Sequence, residues 1–135
     1  MNKTAIALLL SIACTYIASA GPLDGTWINT DQNTRSIPKI RIVSTAKDGP
    51  QMEWWGRTHP QDSKYGPLKL YLLGDSAADR SPDKHAYARE DSGFADKIFF
   101  ITTSGDQLVV ESLTVFKDKS GRTNYRQRLT FKKQP

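Results

Sequence analysis

The chain has 135 residues, of which 19 are basic and 14 acidic, for a net charge of +5. That length fits one domain that can bury a core without a metal or disulfide staple. A single cysteine excludes a disulfide framework within the chain.

Residues 1–20 read as a secretory signal peptide. Lys3 supplies a positive end, Ala5 to Ile17 an apolar run, and Ala18-Ser19-Ala20 an A-x-A cleavage site before Gly21. The run is shorter than the roughly 20 residues a spanning helix needs. The predicted working protein is therefore one domain, 21–135, secreted or periplasmic, with no thiol. Ile12-Ala13-Cys14 is similar to the end of a lipobox, which gives an alternative, a lipid anchor through Cys14. Ser11 stands where that motif prefers Leu or Val, and an A-x-A site lies downstream, so soluble export is preferred. Removing Lys3 leaves 18 basic and 14 acidic residues, a net charge of +4.

After Gly21 no long helical periodicity is present. Short runs rich in Val, Ile, Tyr, Phe, Trp and Thr alternate with Gly, Pro, Asp, Asn and Ser clusters. They predict strands near 24–29, 37–44, 51–58, 67–73, 84–90, 96–103, 107–116 and 122–132. In the third, Met52 and Trp54 face one side and Glu53, Trp55 and Arg57 the other. In the last, Tyr125, Gln127, Leu129 and Phe131 oppose Arg126, Arg128 and Lys132. Ser104-Gly105-Asp106 suits a tight hairpin, and Lys117 to Gly121 a longer one. The fold class is all-β: a single antiparallel up-and-down barrel of about eight strands, because the connections are sequential and closure removes exposed edges.

Residues 117–133 hold Lys117, Lys119, Arg122, Arg126, Arg128, Lys132 and Lys133 against Asp118 alone. Such a face suits an anionic surface or polymer, or a solvated edge protected by charge. No nucleic-acid-binding module is recognisable.

Gly25-Thr26-Trp27 resembles the G-x-W start of the calycins, the lipocalin and avidin-like barrels. That resemblance implies that Trp27 closes the barrel floor and that a basic residue of the last strand, Arg126 or Arg128, packs across it. Three blocks also resemble a largely uncharacterised family of small exported bacterial β-rich proteins. These are Gly25-Thr26-Trp27 with Asn29, Trp55-Gly56 with Pro60 and Asp62, and Asp118 with Ser120-Gly121-Arg122 and Asn124-Tyr125. The family commonly carries two cysteines where this chain has Thr58 and Ser63, which implies a lost disulfide or a divergent branch. It implies no activity.

Candidate chemistry concentrates in Trp54 to Asp62. Trp55 and Arg57 share a strand face, and His59 and Asp62 rim it. Together the four form a predicted ligand-binding set: an aromatic platform, a bidentate cation and polar rim groups. His59 oriented by Asp62 also has the elements of a general base. No nucleophile motif, phosphate loop or metal-ligand spacing accompanies it. His59 and His85 with Asp62 or Asp83 are the sole metal-site combination, and their spacing does not support one. No cofactor, metal or catalytic residue is assigned.

The expected function is an exported, non-catalytic binding protein. It takes a small amphipathic or sugar-like ligand at the barrel mouth or on an aromatic surface. The alternative is an interaction or inhibitor protein that meets an extracytoplasmic macromolecule through the basic last hairpin and Trp54-Trp55. A small hydrolase or isomerase using His59 and Asp62 ranks last. The sequence fixes no oligomeric state.

Overall fold

A computed structural model describes residues 21–135; the predicted signal peptide and Cys14 lie outside the described residues. The elements are nine strands: β1 Gly25–Asn29, β2 Lys39–Thr45, β3 Gly49–Gly56, β4 Ser63–Lys69, β5 Tyr71–Leu73, β6 His85–Asp91, β7 Ala95–Ser104, β8 Gln107–Phe116 and β9 Tyr125–Lys133. They form one antiparallel sheet in the order β4-β3-β2-β1-β9-β8-β7-β6-β5. Its two outermost strands are separated by Leu70 alone, so the sheet nearly closes on itself. Chain neighbours pair except β4 with β5, and β1 meets β9 to join the two halves. This is the predicted up-and-down barrel.

The predicted strand 67–73 differs from the structure. Leu70 N–H donates to the Pro50 carbonyl at 3.0 Å, so the chain is still against β3 there. Residues 71–73 instead pair with 85–87 of β6. The chain changes partner at Leu70 and splits into two short strands. The polar stretch from Ser63, which lies outside the predicted strands, joins β3 at Gly56, Trp55 and Trp54. Its register shifts between Met52 and Trp54. Gly66 accommodates that shift at φ +94°; a Cβ there would sit 2.6 Å from the Met52 carbonyl oxygen.

Strand alternation sends Trp27, Ile40, Ile42, Met52, Phe99, Ile101, Leu108, Val110 and Phe131 inward, each 0–1% exposed. They fill the interior as one apolar cluster. The floor lies at the end of the 74–84 loop and the Gly105-Asp106 turn. The mouth lies at the end of the 30–38, 57–62, 92–94 and 117–124 loops.

Trp27 lies at the floor, with its N–H donated to the Leu23 carbonyl at 2.9 Å. The expected cation over its ring requires a correction. The residue there is Lys133, whose Nζ is 5.4 Å from the ring centroid. Register explains this: Trp27 is opposite Lys133, while Arg126 and Arg128 have the other parity and point outward. Arg128 lies 3.8 Å from Glu111 instead.

Candidate functional site

Strand parity puts Trp54 inside and Trp55 outside. On the outer wall, register aligns residues across five neighbouring strands. Lys64 of β4 faces Trp55 of β3, which faces Lys39 of β2; Lys39 faces Ile28 of β1, and Ile28 faces Lys132 of β9. Cations thus recur on every second strand, about 10 Å apart at the backbone. The ring of Trp55 is half-buried between two lysines, with Lys39 Nζ 4.0 Å and Lys64 Nζ 5.7 Å from its centroid. Lys64 also pairs with Glu53 at 2.6 Å. Lys39 and Lys132 have no ion-pair partner among the described residues.

The other predicted ligand-binding residues lie at the mouth end of this wall. Arg57 and Asp62 come together at 3.5 Å. Arg57 also holds the 30–38 loop: its main-chain N–H donates to the Ser36 carbonyl at 2.8 Å, and its Nε to the Thr34 carbonyl at 3.3 Å. His59 is exposed in the 57–62 loop, and no hydrogen bond joins it to Asp62 among the described residues. His85 begins β6 at the floor end and bonds Thr102 Oγ1 at 3.0 Å, so the two histidines lie at opposite ends. Thr58 and Ser63 have their hydroxyl oxygens 2.9 Å apart. These are the positions where the resemblance places paired cysteines.

A second polar group inside the mouth was missed in the sequence reading. Glu90 of β6 faces Lys97 of β7, Lys97 faces Thr114 of β8, and Thr114 faces Tyr125 of β9. Lys97 Nζ donates to Thr114 Oγ1 at 2.8 Å and lies 5.8 Å from the Trp54 ring and 5.6 Å from that of Tyr125. Burial pushes the Glu90 carboxyl above its ordinary value, opposed by the nearby Trp54 N–H and by Lys97. That N–H makes no well-formed hydrogen bond, and neither does the buried Ser112 hydroxyl. Trp54 is stacked on Tyr65, with centroids 4.2 Å apart. A signal for this group existed: Glu90 shares its parity with Ala86 and Ala88, and Lys97 with Phe99 and Ile101. Charged residues on apolar strand faces are informative.

The basic excess of 117–133 is engaged in part, at Lys117, Arg122, Arg128 and Lys133. Lys117 pairs with Asp91 at 2.8 Å and Asp96 at 3.2 Å, which raises its pKa and lowers that of Asp91. Arg122 pairs with Asp118 at 2.7 Å and lies 4.1 Å from the Phe116 ring. Ser120 and Arg122 hold the Asp118 carboxyl down at about 2. Lys133 lies over Trp27. The outward-facing Arg126 and Lys132 are without ion-pair partners among the described residues.

No protein-family model, curated protein or solved structure matches the chain. The geometry alone therefore carries the functional reading.

Proposed function

We propose that this is an exported, non-catalytic binding protein that holds an anionic, sugar-like chain on its outer wall. The observation behind this reading is the row Lys64–Trp55–Lys39–Ile28–Lys132. Trp55 offers the part of its indole that Lys39 and Lys64 leave exposed as an apolar contact for a sugar ring, and the lysines offer charge at a regular interval. In a polyuronate, which carries a carboxylate on each sugar, every second carboxylate falls at a comparable interval. A planar lipid surface meets a convex wall over only part of such a row, whereas a flexible chain can follow it. The filled core argues against a ligand deep in the barrel.

Affinity electrophoresis in gels containing polygalacturonate tests the proposal, with neutral dextran as control. Polygalacturonate should retard the protein, less so as salt rises. Trp55→Ala and a Lys39→Ala/Lys132→Ala pair should each remove most of the retardation while leaving the fold intact. Equal retardation by dextran, or by both variants, would refute the reading.

The mouth supports a second reading, a small amphipathic ligand beside Glu90, Lys97 and Tyr125. The Trp54 N–H, which lies near Glu90 without a well-formed hydrogen bond, favours it. Quenching of tryptophan fluorescence by such a ligand, abolished in Lys97→Met, would favour the mouth over the wall.

A further inference from the structure

The barrel wall opens along a seam at the mouth. β1 and β9 pair only where Trp27–Asn29 meets Phe131–Lys133. One more bond follows, from Thr30 N–H to the Thr130 carbonyl at 2.9 Å. Beyond it, residues 31–36 turn away, and residues 125–129 are left paired with β8 alone. Arg126 and Arg128 share the parity of Thr130, so their main-chain N–H and C=O groups face the space beside the loop. That space is a groove of about 550 Å³, bounded by Asp31 to Ser36 on one side and Gln127, Arg128 and Leu129 on the other.

Its lining is specific in chemistry. Arg35 has no ion-pair partner among the described residues, and Arg128 reaches Glu111 only at 3.8 Å. The Gln127 amide oxygen accepts from the Ser36 hydroxyl at 2.7 Å, which orients its –NH₂ group and leaves it free to donate. Asp31 spends one carboxylate oxygen on Asn33 N–H at 3.0 Å and keeps the other. Leu129 adds a half-buried apolar surface.

We propose that this groove binds a small hydroxylated carboxylate of the sugar-acid class. Its carboxylate lies between Arg35 and Arg128 within reach of the free strand-edge N–H groups. A ring face rests on Leu129, and a hydroxyl donates to Asp31. Asp31 also discriminates: a sugar acid offers it a hydroxyl to accept from, whereas a phosphate dianion brings a second negative charge toward its carboxylate. The proposal rests on the outer-wall reading for its ligand class and on none of that wall's residues.

NMR titration of the mature protein with D-galacturonate tests it, with glucose, inorganic phosphate and trigalacturonate as the other arms. Galacturonate should shift the main-chain amides of Arg126 and Arg128 and the Gln127 side-chain amide; glucose and phosphate should leave them unmoved. Trigalacturonate shifting the same signals through its terminal residue would show that a chain end uses the groove; no shift would restrict it to the free acid. Arg35→Ala should weaken galacturonate binding at least about tenfold with an unchanged melting midpoint, and Arg35→Lys should recover part of the loss. Unchanged affinity in Arg35→Ala, or equal shifts from phosphate, would overturn the proposal. Polygalacturonate retardation lost in Trp55→Ala, with no galacturonate shifts in the wild type, would overturn the groove and leave the outer wall standing. Galacturonate shifts that persist in Trp55→Ala and vanish in Arg35→Ala would support the groove whatever the outer wall does.

Discussion

At the floor of the barrel, Trp27 is fully buried, donates its N–H to the Leu23 carbonyl and lies beneath Lys133. At the mouth, Trp54 is 7% exposed, stacks on Tyr65 and turns its N–H toward the half-buried Glu90 carboxylate without a well-formed hydrogen bond. Both indoles sit on the inner face of the same sheet, so hydrophobicity and strand parity do not distinguish them. Polar satisfaction does. The floor meets the needs of its buried groups, as a stable core requires, whereas the mouth keeps unpaired donors inside the wall.

Truncation gives the sharpest contrast. Trp27→Ala should cost about 3–5 kcal/mol, measured by urea titration, because the floor is packed from all sides and collapses poorly around the void. A loss below about 1 kcal/mol would mean that the floor is no better packed than the wall.

Trp55→Ala provides the outer-wall counterpart. The ring is half-buried and held by two lysine stems, so its loss removes cross-strand and cation–π contacts worth about 1 kcal/mol in total. A cost near that of Trp27→Ala would make Trp55 a core residue and remove it from the binding surface.

Ser112→Ala should move the other way. The hydroxyl is fully buried without a partner, unlike its neighbour Thr114, which accepts from Lys97. Replacing it by a methyl group should raise stability by about 1 kcal/mol in the same titration. A loss of similar size would show that the hydroxyl is hydrogen-bonded after all.

Much of the floor was legible because it follows from two-residue alternation. Met52 and Phe131 fall on the inner face by parity, the G-x-W resemblance put Trp27 there, and the sequential turns imply the meander. The break at Leu70 was not legible: Leu68, Leu70 and Leu72 alternate without interruption, and only the change of partner from β3 to β6 reveals the bend. The cation over Trp27 was misassigned for a related reason. Parity within the last strand already sets Arg126 and Arg128 opposite Leu129 and Phe131, but that Lys133 stands over Trp27 follows only from the pairing of β1 with β9. Trp55, Arg57 and Asp62 were readable as neighbours within one segment. The wall row and the groove join residues as far apart as Ile28 and Lys132, or Arg35 and Arg128, and no local pattern links such pairs.

The smallest expected effect concerns Glu90 and pH. Burial raises its carboxyl pKa in the folded chain, so near the ordinary value the folded state holds more protons than the unfolded state. Stability therefore falls as pH rises from the ordinary carboxylate value through the raised one, and the whole penalty is present above it. Glu90→Gln removes that penalty. Its urea midpoint, measured against wild type, should improve between pH 4 and pH 7. Asp91 and Asp118, whose carboxyls are lowered, contribute with the opposite sign, but they are common to both proteins and cancel in the difference. Lys97 decides the alternative. If its attraction for the Glu90 carboxylate outweighs burial, the variant falls behind wild type as pH rises, and the mouth is an ordinary ion pair rather than a site holding an unsatisfied group.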